Sequence, residues 1–108
     1  MPAVGLLVVD ANGVVGAVVL NNSQLPNNVD LTAVGPGAFD VGIVRAVFRY
    51  CFAHYRRVTA TTKASNARAR RGLLALGFRE EGRLREYFGD DDGIVFGLTR
   101  TEQRIVRQ

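Results

Sequence analysis

Two short apolar runs open the chain, Val4–Val9 and Val14–Leu20, separated by Asp10-Ala11-Asn12-Gly13. Asn12-Gly13 tolerates the positive φ of a tight turn, so the runs read as two strands of a hairpin. Asn21–Asn28 is polar, carries Pro26, and reads as a connecting loop. Val29–Val34 is a third strand, stopped by Gly35-Pro36-Gly37. From Val41 to Tyr55 the period changes to helical. Ile43, Val47, Tyr50 and Cys51 share one face, with Val44, Phe48 and Phe52 beside them, so most of this helix must be buried. Asp40 is placed to cap it and Arg56-Arg57 end it. Val58–Thr62 is β-branched and reads as a strand. A second helix follows over Asn66–Leu76. Phe78–Phe88 and Ile94–Thr99 then pair as a hairpin across Gly89-Asp90-Asp91-Asp92-Gly93. The order β-β-β-α-β-α-β-β predicts a mixed sheet in an α/β (α+β) domain.

The second helix carries its own punctuation. Ser65 or Asn66 can accept a bond from the free N–H groups of its first turn. Gly77 suits the left-handed residue that closes the last turn, with Phe78 packing back on it.

Length makes the chain one domain, residues 1–108, large enough for a core without metals or disulfides. One cysteine, Cys51, allows no internal bridge and favours a reducing compartment. No apolar run reaches ~20 residues, so no membrane span or signal peptide is expected. A cytoplasmic protein is the expectation.

Charge is unevenly placed. The net charge is +4, yet residues 1–44 hold Asp10, Asp30 and Asp40 and no base, whereas all 14 Lys and Arg fall in residues 45–108. Solvated faces explain this as well as an anion site for cofactor phosphates or nucleic acid does. No nucleic-acid motif is present and aromatics do not interleave with the bases along the sequence, so nucleic acid is not the expected partner.

Asn66-x-x-Ala69, Leu73 and Gly77-Phe78 resemble the N-x-x-A-x-x-x-Y-x-x-x-G-F motif of the GNAT superfamily of N-acetyltransferases. The element order is similar to that fold from its second strand to its last, without its first strand and first two helices. The segments Phe48-Arg-Tyr50-Cys-Phe52, Arg57-Val-Thr-Ala60, Leu76-Gly-Phe-Arg-Glu-Glu-Gly82 and Leu84-Arg-Glu86 resemble short GNAT-like proteins of bacteriophages. The resemblance implies acyl transfer from acetyl-CoA to an unknown amine, on a small molecule or a protein. It also implies a cofactor lying where two parallel strands splay, its pyrophosphate at the following helix N-terminus. Backbone groups of the third strand, at Leu31 and Ala33, would meet the pantetheine arm. Val41, Gly42 and Ile43 would meet the pyrophosphate: Gly42 matches the first glycine of Q/R-x-x-G-x-G/A, while Phe39 and Val44 replace the Gln/Arg and the final Gly/Ala. Val44 would narrow that approach. Asn66 would bond the arm, with Arg68 or Arg71 on the phosphates.

Each of these residues has a plainer reading. Asn66 is first a helix cap, and Arg68, Arg70 and Arg71 an exposed turn, although three cations there oppose the helix dipole. In the family a tyrosine stands seven residues after the asparagine as the acid; here it is Leu73, which has no proton to give. Tyr50 and Tyr87 read as core aromatics with surface hydroxyls. His54 reads as a helix terminus before a base, Cys51 as inert core, and Asp90–Asp92 as a solubilising turn before a cation site. In an uninterrupted strand Glu80 and Glu86 face one side, while Glu81, Arg79, Arg83 and Arg85 face the other as a charge ladder. Three functions remain open: an N-acyltransferase that self-associates to close its acceptor site, a non-catalytic GNAT-fold binding or assembly protein, and a nucleic-acid binder.

Overall fold

The computed structural model describes residues 3–10, 13–21, 26–34 and 41–106. The elements are β1 (Ala3–Asp10), β2 (Gly13–Asn21), β3 (Asn28–Val34), α1 (Val41–His54), β4 (Arg57–Lys63), α2 (Ala67–Ala75), β5 (Arg79–Leu84) and β6 (Gly93–Thr99). This is the element order that the apolar pattern predicts. The six strands form one sheet in the order β1-β2-β3-β4-β6-β5.

The hairpin of β1 and β2 closes at Asp10↔Gly13 and β3 adds antiparallel to β2. The seam between β3 and β4 is parallel, from Asn28↔Arg57 to Leu31↔Ala60. The last strand, β6, enters between β4 and β5 and is antiparallel to both. β4 and β5 are therefore parallel, and α1 and α2 are both crossover helices running in the same direction across the sheet. Right-handed crossovers put both on one face. The core agrees: Val44, Val47, Phe48, Cys51 and Phe52 of α1 and Leu73 of α2 share a cluster with Val29, Leu31, Val58, Ala60, Phe96 and Leu98. Neither helix is long and apolar enough to cross a membrane.

Two element ends and two aromatic placements differ from the sequence reading. α1 ends at His54, and the carbonyl of Asn27 accepts bonds from the N–H groups of Arg56 and Arg57, both 3.0 Å, which turns the chain into β4. β5 ends at Leu84 rather than Phe88, because residues 85–88 form a turn with Glu86 at φ 55°. Asp92 Oδ1 accepts the Glu86 N–H at 2.7 Å and Phe88 N–H bonds the Asp91 carbonyl at 3.0 Å, so the turn closes early. Tyr50 is 41 % exposed and Tyr87 57 %, so neither is a core aromatic. Tyr50 stands one step outside the buried stripe of α1, and Tyr87 belongs to the turn beyond β5.

The end of α2 follows the sequence reading closely. Gly77, at φ 102°, donates to the Leu74 carbonyl at 3.0 Å, and Phe78 N–H reaches the Leu73 carbonyl at 3.1 Å. Those paired bonds, with Phe78 and Leu73 both buried, are a Schellman closure.

Across β3, β4 and β5 the face away from the helices carries a polar network. Thr59 Oγ1 accepts from Arg57 Nε at 3.0 Å and donates to Asn28 Oδ1 at 2.6 Å. Asn28 Nδ2 donates to Asp30 Oδ1 at 3.0 Å. Arg57 also grips Glu81 of β5 through both terminal nitrogens. That pair crosses β6 over Gly97, where a Cβ would fall 2.6 Å from the Glu81 carboxyl carbon. The Arg57 guanidinium holds the Glu81 carboxyl below its usual range.

Candidate functional site

β3 and β4 stop pairing before they end. Their last parallel partners are Leu31 and Ala60, yet β3 continues to Val34 and β4 to Lys63. Each strand keeps its other neighbour: Thr32, Ala33 and Val34 remain paired to β2, and β4 is paired to β6 along its whole length. The weaker parallel seam is the one that opens. The opening is a slot of about 50 Å³ lined by Leu31, Thr32, Ala60, Thr61, Thr62, Ala69 and Leu73. Among the described residues its lining has three hydroxyls and no ionisable group, and α2 closes it from the helix side. Backbone groups of residues 32–34 face a gap with no β4 partner, the arrangement in which an extended chain adds to a strand edge.

Of the two cap candidates, Asn66 is the cap: its Oδ1 accepts the Ala69 N–H at 3.1 Å. Ser65 turns instead to the hairpin loop, its N–H reaching Asp91 Oδ2 at 3.3 Å and its hydroxyl donating to the same oxygen. Arg70 folds back, Nη1 donating to the Ala64 carbonyl at 2.9 Å, whereas Arg68 and Arg71 are exposed. Gly42 is exposed in the first turn of α1, and Val41 and Ile43 flank it on the helix backbone. Val44 is buried in the core, so its side chain packs away rather than narrowing that first turn. Phe39 and Asp40 lie outside the described residues. The structure thus brings Leu31 to the slot itself, places Ala33 on the unpaired end of β3, and sets Asn66 just before α2. It places Gly42 on the separate helix that joins β3 to β4.

Leu73 is buried in the slot wall, where the family motif has its tyrosine. Tyr87 comes nearer than the sequence suggested: a Cβ at Gly93 would lie 3.1 Å from both Tyr87 Cβ and slot-lining Thr61 Cγ2. Tyr87 and Thr61 thus both flank Gly93, with the Phe88 ring 5.1 Å from that of Tyr87 and Lys63 Nζ 5.9 Å from the Phe88 ring. Cys51 is fully buried, and burial pushes its thiol up to about 12, which makes it inert. His54 is exposed in the last turn of α1, its ring 4.7 Å from that of Tyr50. A larger hollow of about 560 Å³ lies at the opposite end of α2, lined by Ala75–Gly77, Arg79 and Thr101–Arg104. It contains none of the expected site residues, and the negative pole of α2 points toward it.

The acidic turn has a structural task. Asp91 holds Ser65, and Asp92 accepts from Glu86 N–H and from Arg83 Nε, both at 2.7 Å. The Ser65 hydroxyl holds the Asp91 carboxyl below its ordinary range, and the Glu86 N–H does the same for Asp92. Folded carboxylates with lowered pKa stabilise above their ordinary value near 3.8 and lose that contribution as pH falls through the folded value. Stability measured by urea unfolding is therefore expected to fall as pH drops below the ordinary carboxylate range. The fall is expected to be shallower in Asp91→Asn; an identical slope would show that the Ser65 contact does not act in solution.

Thr32, Thr61 and Thr62 are the slot residues that the sequence reading missed. Their signal was the Thr59-Ala60-Thr61-Thr62 alternation, but only the strand order reveals a neighbour that departs.

No family model matches this chain, and no curated protein matches it. Solved structures do. A ribosomal-protein-S5-alanine acetyltransferase from Vibrio fischeri superposes with TM-score 0.76 at 22 % identity, over 94 % of this chain and 64 % of that one. An acetyltransferase of the GNAT family from Bacillus anthracis gives 0.73 at 21 %, over 91 % and 67 %. A spermidine N-acetyltransferase from Vibrio cholerae, in complex with CoA and spermine, gives 0.76 at 18 %, over 93 % and 67 %. The fold is that of the GNAT acetyltransferases. The chain spans about two thirds of the length of each of these GNAT proteins. The β3–β4 seam opens at the strand pair where the resemblance implies a splay.

Proposed function

We propose that this single domain is an acyl-CoA-dependent N-acyltransferase, with acetyl-CoA as donor and an amine on a small molecule or protein as acceptor. One observation carries the reading: the β3–β4 seam unzips after Leu31↔Ala60 into an uncharged slot beside the α2 N-terminus. An unpaired strand edge, three hydroxyls and exposed cations suit a long, amide-bearing, phosphate-ended molecule. Backbone groups of Leu31 and Ala33 would hold its arm, and the Asn66 amide would add a bond. Val41, Gly42 and Ile43, at the positive end of α1, would hold its pyrophosphate, with Arg68 and Arg71 on remaining phosphates. When bound, acetyl-CoA supplies an activated acyl group.

The chain's own contribution is placement. Leu73 and Ala69 exclude water from the slot, Thr61 and Thr62 offer hydroxyls at its wall, and β3 fixes the direction of entry. Among the described residues the lining offers hydroxyls and apolar groups, which suits a rate that comes from holding two reactants together. The same proposal includes self-association, with the sheet near β1 and β2 between copies, and a cytoplasmic location.

A second reading has its own observation. Leu73 fills the slot wall where the motif has tyrosine, which suits a non-catalytic GNAT-fold binding protein equally well. Calorimetric titration with CoA and acetyl-CoA is the first test. Micromolar binding of both is expected, about −8 kcal/mol. No heat at millimolar ligand would overturn the acyltransferase reading and leave the assembly protein.

A further inference from the structure

We propose that the solvent face of the helix layer binds single-stranded nucleic acid, with α1 as the contact strip. The sequence reading set nucleic acid aside because aromatics and bases do not interleave along the chain. On the folded helix both kinds line one exposed face, the arginines along one edge and the rings along the other. Arg45, Arg49, Tyr50, Ala53 and His54 are all exposed, and the pairs Arg45–Arg49 and Tyr50–His54 are each one turn apart. Two cations followed by two rings therefore extend over about 13.5 Å of rise. The rings already lie against each other, centroids 4.7 Å apart at 49°, and Tyr50 is an aromatic surface that the core does not use.

Charge across the layer has one sign. Neither α1 nor α2 contains an acidic residue. On α2, Arg68 and Arg71 are exposed on the same side of the sheet. Among the described residues the ion pairs are Arg57–Glu81, Arg79–Glu102 and Arg83–Asp92, so Arg45, Arg49, Arg68 and Arg71 take part in none. Acids of the second half sit in β5, its hairpin turn and the C-terminal segment instead. Unpaired like charges on one layer repel, a cost that a polyanion offsets. Two features select nucleic acid over an acidic protein. All four cations are arginine, whose planar fork matches phosphate and stacks on bases, and the exposed ring pair offers a base a platform. Arg68 and Arg71 are shared with the acyl-CoA reading, whereas Arg45, Arg49 and Tyr50 on α1 are not, so variants at those three separate the two readings.

The test is fluorescence anisotropy of an end-labelled oligouridylate, and of a labelled duplex, against the full chain. Four arginine contacts predict a log–log salt slope of about −3 on the single strand, a fall of roughly 50-fold between about 50 and 200 mM salt. Arg45→Gln with Arg49→Gln should halve that slope and weaken binding about tenfold or more at low salt, with unchanged thermal melting. Tyr50→Ala should weaken single-strand binding by about fivefold or more and leave duplex binding unmoved. No binding at tens of micromolar protein in low salt would overturn the proposal, as would a double glutamine variant indistinguishable from wild type. Polyglutamate bound as tightly as the oligouridylate, with Tyr50→Ala silent, would overturn it in favour of an acidic protein partner.

Discussion

Phe96→Ala is expected to lower the unfolding free energy by about 3–5 kcal/mol. Phe96 is completely buried on β6, the strand that joins β4 to β5. Its ring belongs to the cluster where α1 meets the sheet, with Phe52 also at zero exposure and Phe48 stacked on Phe52 at 5.9 Å. Removing the ring leaves a void between a central strand and a helix already fixed by neighbouring side chains, so collapse into it is limited. Against a total of about 5–15 kcal/mol for an ordinary domain, the variant would keep little margin. Urea unfolding followed by circular dichroism reads it directly. Leu74→Ala is the matched control: Leu74 is 53 % exposed and should change stability by less than about 0.5 kcal/mol. A loss at Phe96 below about 1.5 kcal/mol, the range of a volume-conserving swap, would mean that β6 is not held as described.

Local signals explain what the sequence made legible. The Asn66 cap and the Gly77 closure of α2 depend on residues within one turn, and both were readable from side-chain type alone. The alternating and helical periods likewise placed every described element within a few residues. What failed depended on neighbours far along the chain. β5 was read as continuing to Phe88 because nothing local stops it; Asp92, six residues on, stops it by taking the Glu86 N–H. The charge ladder was argued from an uninterrupted pleat, but the β5–β6 register shifts between Glu80 and Gly82. Glu81 is bulged out of that count and reaches Arg57 on β4, two strands away. Arg79 and Arg83 pair with Glu102 and Asp92 instead of with Glu81.

Two glycines show why strand order mattered. Gly97 leaves room for the Arg57–Glu81 pair, and Gly93 for Tyr87 against Thr61. Read along the chain they are interruptions of an apolar strand; in the sheet they leave room above β6 for side chains of β4 and of β5 or the turn after it. The slot was legible only by resemblance, because a seam that opens is a property of two strands and their outer partners. Phe39 and Asp40, on which the phosphate reading also bears, fall outside the described residues.

Gly42→Glu separates fold from ligand, because its two expected effects have opposite signs. Gly42 is exposed in the first turn of α1. Replacing glycine inside a helix recovers about 0.5–1 kcal/mol of backbone entropy. A carboxylate at the positive end of the helix adds about 0.3–1 kcal/mol, so the melting temperature should rise or hold. CoA affinity should move the other way. A carboxylate ~5 Å from a bound phosphate costs ~1–3 kcal/mol at surface dielectrics, a ten- to hundredfold loss. Gly42→Ala, which changes the helix without the charge, should weaken CoA far less. Equal loss in both variants would point to crowding of the backbone rather than to charge. If Gly42→Glu bound CoA as wild type does, the α1 N-terminus would not be where the phosphates lie, and Arg68 and Arg71 beside the slot would be left to hold them.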